Sequence, residues 1–445
     1  MKYELTEAVS KEFGKAISDL LNKFHQGGEV DQQFLGETQG KFYSLEANDN
    51  GHELQNELFS QELWQVIKAQ MPADLNQEHK NAPATLHKGS IIIETKGGLD
   101  IIIDASTKDG HFHIDSYNID KGGLGPNTAE ALYYRKQEFN LVALYGQGPI
   151  ASIQEKLLEA TGVKAHIVRH SRDTNFHPCF NFKDKEGMEH LFWIVAQVYP
   201  MQDKVLEQFT NKIDEISKAN PGEFMVLTNT PPRGSKPNYF AQLSCIAKKN
   251  GNMVIYNPCE FVDTYLADRY LFKEGHADII KPNLHEFFQF LVSVDLLDAG
   301  EMIQKREQVK EELELNDFST LSKLITEFMQ ETSTEIAIVS LDKHGALVAS
   351  INDQLHIPAP VIQVECSSGA GDSGLAGLIH TAKEINLDLN NVSQEDLIKI
   401  ATEFVYSASA TASKKGNQLA RLDEIAKLKE LSIVEPRVLN SIFAS

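Results

Sequence analysis

Val364-Glu365-Cys366-Ser367-Ser368-Gly369-Ala370-Gly371-Asp372-Ser373-Gly374-Leu375-Ala376-Gly377-Leu378 carries a loop of small residues straight into an apolar helical run. Gly369, Ala370 and Gly371 have no bulk, so their backbone N–H groups can turn toward one point. A helix start adds partial positive charge there, which suits an anion or a developing oxyanion. Asp372 stands at that point and could take a proton from a hydroxyl about to attack a phosphate. Gly-Ala-Gly is also an ordinary turn, so the loop is weighed against the rest of the chain.

The chain has 445 residues, enough for one large core plus an appended piece. Its 42% hydrophobic and 24% charged residues are those of a soluble globular protein. A formal net charge of −21 argues against nucleic acid and against anionic membranes as partners. Such a protein must handle phosphate with a few local cations, backbone N–H groups or Mg²⁺. Four widely spaced cysteines, Cys179, Cys245, Cys259 and Cys366, give neither a disulfide framework nor a zinc motif. Met1 to Glu7 is too polar for a signal peptide, and no apolar run approaches the roughly 20 residues that span a bilayer. A cytoplasmic protein is expected.

Residues 1–85 are read as a helical N-terminal extension. Val9, Phe13, Ile17, Leu20, Leu21 and Phe24 recur at helical spacing until Gly27-Gly28. A second helical stretch covers about 57–69, and 76–83 reads as a linker. These stripes are packing surface rather than a ligand site.

From residue 86 to 445 a second unit is expected. Ile91-Ile92-Ile93 and Ile101-Ile102-Ile103 are short β-branched runs, and His111 to Ile119 alternates like a half-exposed strand. After Gly122 helices and strands alternate, with strands at 141–144, 165–168, 225–228, 253–256, 279–280 and 336–340. That pattern is an α/β fold, a mainly parallel sheet with helices on both faces. Ligands bind such a sheet at the carboxyl ends of its strands. Glu301 to Phe318, rich in Glu and Lys, is expected to be a solvated helix or surface loop.

Each remaining motif follows a predicted strand. Gly122-Gly123-Leu124-Gly125-Pro126-Asn127 would let a substrate approach the backbone, and Asn127 offers a donor and acceptors to hydroxyls. Asp100 could accept from two neighbouring hydroxyls; a turn or cap is the plainer reading of each. Tyr256-Asn257-Pro258 and Ile280-Lys281-Pro282-Asn283-Leu284-His285-Glu286 follow strands. Asn283 and Glu286, three apart, are either a capping box or neighbours of Mg²⁺ and its water. Ser340-Leu341-Asp342-Lys343-His344-Gly345 is a polar turn suited to a nucleotide's phosphates or ribose. A base could lie on the small-residue helix at 404–413, which includes Ser409; close helix packing is the commoner use of such residues.

In this order the motifs resemble the ribokinase/PfkB family of carbohydrate kinases over about residues 90 to 420. That family has Gly-Gly-Lys-Gly-x-Asn, Pro-Asn-x-x-Glu, Thr/Ser-Leu-Gly-x-x-Gly and Gly-Ala-Gly-Asp motifs, matched by Gly122 to Asn127, Pro282 to Glu286, Ser340 to Gly345 and Gly369 to Asp372. Asn257-Pro258 is similar to the Asn-Pro of the ribokinase branch. The resemblance implies a ribokinase-like domain with a β lid at about 101–120 and 174–200 over a sugar. It implies ATP as co-substrate and phosphoryl transfer to a sugar hydroxyl, with Asp372 as base and Gly369, Ala370 and Gly371 as anion hole. It further implies Asp100, Gly122, Gly123 and Asn127 as sugar contacts; Asn257, Ser340, Lys343, Gly345 and Ser409 on the nucleotide; Mg²⁺ near Asn283 and Glu286; and a homodimer, since lids of the family often pair.

Two departures stand out. The family's motif lysine is Leu124 here, with Lys121 or Arg172 as substitutes for holding a phosphosugar's phosphate. Asp342 replaces a glycine in the nucleotide turn, and like charges ~4 Å apart repel by about 4 kcal/mol at an effective dielectric near 20. They keep open an ADP-dependent sugar kinase of the same fold and a catalytically weak sugar- or nucleotide-binding sensor or scaffold.

Overall fold

A strand buried on both faces needs apolar side chains at consecutive positions, because successive residues point to opposite sides. Ile91-Ile92-Ile93 meets this requirement. In the computed structural model Ile91 and Ile93 join a core with Val142, Leu144, Met225 and Leu227, while Ile92 joins a second core with Leu141 and Val226. All three isoleucines are fully buried. Cutting Ile92 to alanine would cost ~2–5 kcal/mol in lost transfer energy and cavity.

The structure describes residues 2–4, 86–108, 111–171, 174–183, 189–193, 200–259, 265–416 and 418–439. The helical stretches and linker read within residues 9–83 lie outside the described residues, as does Arg172.

One sheet has ten strands: β2 (Ser90–Glu94), β5 (Phe139–Tyr145), β6 (Ala165–Arg169), β9 (Phe224–Asn229), β10 (Met253–Pro258), β11 (Ile279–Ile280), β12 (Ile336–Ser340), β13 (Ala346–Ser350), β14 (Gln354–Ile357) and β15 (Arg437–Leu439). Their order is β15-β14-β13-β12-β11-β10-β9-β2-β5-β6. From β6 to β12 the pairing is parallel, as the alternation of helices and strands requires. From β12 to β15 it is antiparallel. The sequence reading missed β13 to β15.

The chain leaves β2 for β5 on one side and later returns to lay β9 on the other. The order reverses there, and a crevice opens beyond the carboxyl ends of β2 and β9. Every site residue is placed by reference to this point.

A separate five-stranded sheet, ordered β1-β4-β3-β7-β8, comprises β1 (Lys2–Glu4), β3 (Gly98–Lys108), β4 (His111–Gly122), β7 (Asn175–Lys183) and β8 (Glu189–Trp193). It corresponds to the expected β lid. β3 and β4 form a long antiparallel hairpin with an irregularity at Asp104/Ala105, and β7 runs parallel to β3. β1 pairs with β4 at the sheet edge, so the first residues of the chain belong to this sheet. Glu301 to Phe318 contains a helix, Met302–Glu314, whose Val309 and Leu313 dock on the core. Among the described residues no helix is long and apolar enough to cross a membrane.

Candidate active site

The small-residue loop behaves as its composition requires. Gly369 caps the helix Ala370–Glu384 at φ 75°, in the left-handed region, and no side chain caps this helix end. Ala370 N–H donates to the Ser367 carbonyl at 3.2 Å, so that N–H closes a turn. The N–H of Gly371 has no partner among the described residues. A Cβ on Gly371 would stand 2.8 Å from Lys281 Nζ, so the lysine tip lies directly against this turn. A cation from the end of β11 thus lies against the glycine turn.

Asp372, in the first helical turn, is only 3% exposed. Asn127 Nδ2 donates to its Oδ2 at 3.0 Å, and Asn257 Nδ2 donates to its Oδ1 at 3.4 Å. Burial pushes the Asp372 carboxyl up, while Lys281, the two amides and Lys121 hold it down; the outcome is about 6. A carboxylate poised there accepts a proton at neutral pH without being fixed to a permanent partner. Asn257, at the end of β10, has a buried Oδ1 with no hydrogen-bond partner.

The glycine loop 122–127 leads from β4 into the helix Leu124–Tyr134. Lys121 is buried, ion-paired with Glu130, and donates to Asn127 Oδ1 at 3.2 Å. That bond fixes the Asn127 amide with its NH₂ toward Asp372. Burial pulls the Lys121 ammonium down, but Glu130 and Asp120 outweigh it and leave the lysine held as a cation. Lys121 therefore holds Asn127 and Glu130 together at the start of this helix. Asp100 is buried at the base of the lid, paired in register with Asp120, and its carboxylate fills the space where a Cβ on Gly122 would lie.

Sequence reading missed two members of this site. Lys281 stood in a quoted motif without a role. Glu94, at the end of β2, received none either, yet its carboxylate accepts from Gly125 N–H at 2.7 Å, Lys96 N–H at 2.9 Å and Asn229 Nδ2 at 2.7 Å. Its apolar neighbours Ile91 to Ile93 mark it as a polar residue ending a buried strand, which was the available signal.

On the other side of the crevice Asn283 and Glu286 form a complete capping box: Glu286 N–H donates to Asn283 Oδ1 at 2.8 Å and Asn283 N–H to Glu286 Oε2 at 2.7 Å. Ser340 N–H donates to the Pro282 carbonyl at 3.0 Å, which places the two motifs side by side. Asp342 has φ 50°, and Gly345 has φ 88° with its Cβ position blocked by the backbone of β14. The left-handed region is one that aspartate tolerates, so Asp342 replaces glycine at low backbone cost. It is exposed, and Lys343 pairs with Glu314 at 2.7 Å instead of turning inward. Ser409 is buried in the helix Gln394–Ala412. Next to it, Ser407 Oγ would lie 2.6 Å from a Cβ on Gly377, so small residues here allow close helix packing.

A model of the pfkB family carbohydrate kinases matches residues 98–424. The ATP-dependent 6-phosphofructokinase isozyme 2 of Escherichia coli (strain K12) is 21% identical over 223 residues, 50% of this chain and 61% of that protein. The chain thus matches less than two thirds of that relative's length. A crystal structure of phosphofructokinase-2 from Escherichia coli in complex with substrates and products superposes with a TM-score of 0.60 at 19% identity, covering 78% of this chain and 99% of that one. A possible 1-phosphofructokinase from Thermotoga maritima gives 0.59 at 15% identity, covering 79% and 99%. At such identities these structures speak for the fold.

Proposed function

Since the chain belongs to the pfkB family of carbohydrate kinases, we propose that it transfers the γ-phosphoryl group of ATP to a hydroxyl of a sugar or sugar-like small molecule. The observation that carries this reading is Asp372: a buried carboxylate at a glycine-capped helix start, oriented by Asn127 and Asn257, with Lys281 against the same turn.

In this reading the acceptor lies over Asp100, Gly122, Gly123 and Asn127. Its hydroxyl proton passes to an Asp372 oxygen as the hydroxyl oxygen attacks the γ-phosphorus and the bond to the ADP oxygen breaks. Gly371 N–H, the helix start and Lys281 oppose the charge on the transferring group. Gly369 shapes this turn, and Ala370 holds it through Ser367 rather than contributing a free donor. Asn257, Ser340, Gly345 and Ser409 line the nucleotide side; Lys343 is turned to Glu314.

The buried Asn257 Oδ1 without a partner and the buried Glu286 carboxylate are oxygen donors, the kind a hard cation takes. Glu286 and Asn283, through water, would hold Mg²⁺, which when bound offsets charge on the nucleotide phosphates. A cytoplasmic location and a homodimer complete the reading.

The test is turnover of D-ribose, D-fructose, fructose 6-phosphate and adenosine with ATP or ADP and Mg²⁺. ATP-dependent product on one of them is expected. Binding without turnover on all of them would overturn the reading, and turnover with ADP alone would replace the donor.

A further inference from the structure

Glu94 stands at the reversal point of the large sheet, where the chain leaves β2 for the lid. Its surroundings consist of donors. Oε2 accepts from Gly125 N–H at 2.7 Å, and Oε1 accepts from Lys96 N–H at 2.9 Å and from Asn229 Nδ2 at 2.7 Å. Three N–H groups donate to this one carboxyl, and the carboxylate, which only accepts, suits them better than the acid, whose added O–H finds no acceptor among these three donors.

Each donor belongs to a different element of the fold. Gly125 is the second residue of the helix Leu124–Tyr134, whose cap Gly123 supplies no side-chain bond. Glu94 does this from another strand, as a negative charge at a helix start. Lys96 lies in the connection from β2 to the lid strand β3. Asn229 ends β9 at φ 66°, on the far side of the crevice. The loop is also moulded on Glu94: a Cβ on Gly125 would lie 2.9 Å from Oε2, and one on Gly123 3.0 Å from it.

We propose that Glu94, as a carboxylate, is a positioning residue that ties the acceptor loop, the connection to the lid and the end of β9 into one unit. This rests on the phosphoryl-transfer reading above. Glu94 does not touch the reacting atoms; it acts through Gly125 and hence through Asn127, two residues on in the same helical turn. Groups facing it are Lys96 on its own connection, Tyr145 from β5 and Asp372 from the helix start. Burial pushes Glu94 up to about 8, against the pull of Gly125 and Lys96. Tyr145 is held well above 10 and Asp372 sits near 6, so neither titrates where Glu94 does.

Glu94→Gln tests this, because the amide brings an NH₂ into a ring of donors as the protonated acid does. At pH 9, where Glu94 is ionised, and with the best acceptor of the panel, E94Q is expected to raise acceptor KM by about 10-fold while ATP KM stays within about 2-fold. In the wild type acceptor KM falls as pH rises through about 8, and in E94Q that limb is lost. Glu94→Asp keeps the charge and retains the limb. Independently of turnover, hydrogen exchange in residues 122–134 at pH 9 speeds up by about 10-fold in E94Q, as expected for a lost bond to a charged group. The same segment in the wild type is better protected at pH 9 than at pH 6.5 after correction for intrinsic rates.

Unchanged acceptor KM in E94Q, or a limb near 8 that survives it, would overturn the proposal. Unchanged exchange in residues 122–134 would do the same, and that measurement decides even if no acceptor is turned over, a result that counts against the kinase reading alone.

Discussion

Asn127 Nδ2 meets Asp372 Oδ2 at 3.0 Å although 245 residues separate them in the chain. The bond joins the acceptor loop to the proposed base, and its direction is set by Lys121, which donates to the other end of the same amide. In the proposed reaction, acceptor placement and base orientation are therefore one arrangement.

Asp372→Asn keeps the shape of this arrangement and removes the base. Turnover is expected to fall by about 10²–10⁴-fold or more, with acceptor affinity by calorimetry changed only a few-fold. Loss confined to the transition state is the signature of a base. Near-normal turnover in the variant would remove Asp372 from that role.

The Asp372 carboxyl, pushed up to about 6, predicts an acidic limb in the rate. Below that pH the group holds its proton and cannot take another, so kcat falls tenfold per pH step; above about 7 the limb is flat. The sign for stability is opposite. A carboxyl raised above its unfolded value of 3.8 keeps its proton longer in the folded state, so its contribution is full below 3.8 and declines as pH rises to about 6. A rate profile with no limb between pH 5 and 7 (roughly the window of a base tuned toward neutrality) would contradict this placement.

How much of this was readable beforehand depends on sequence distance. Gly369 to Asp372 and the Asn283/Glu286 pair are local, so loop and cap geometry follow from residue types alone. For Asn283 and Glu286 the capping box is what the structure shows, with the Glu286 carboxylate buried and Asn283 bridged to Ser340. For Glu94 the apolar run before it marks only a polar end to a buried strand; two of its partners lie 31 and 135 residues away, and only folding shows that they are donors. The ion pair of Lys121 with the buried Glu130, nine residues on, is likewise invisible to the motif spacing that points to Lys121 as a substitute for the lysine missing at Leu124. The antiparallel edge β13 to β15 was missed because its strands are short and close to turns.

The Lys121–Glu130 pair is buried on both sides. Lys121→Met leaves Glu130 as a lone buried charge and is expected to cost about 3–5 kcal/mol in urea denaturation. Lys121→Met with Glu130→Gln removes both charges and should recover much of that. Stability recovers, but turnover does not, since the Asn127 amide loses its orienting donor. If the double variant regained wild-type turnover, Lys121 would have only a structural part.

Lys281 and Lys343 separate two ways a lysine can follow a strand. Both stand close after apolar strands, β11 and β12, and the resemblance implies Lys343 on the nucleotide. In the structure Lys343 is exposed and paired with Glu314, an interaction worth about 0–1 kcal/mol. Lys281 is 7% exposed, with Nζ against Gly371. Lys343→Ala is therefore expected to change ATP KM by less than about 3-fold, within the range of a surface pair. Lys281→Ala removes a desolvated cation from the phosphoryl-transfer turn and should lower kcat by about 10²-fold or more. The same variant lifts the Asp372 limb above pH 6, because the positive charge that lowers that carboxyl is gone. A rise in the limb without loss of kcat would confine Lys281 to tuning Asp372, and equal effects from both lysines would return Lys343 to the phosphate site.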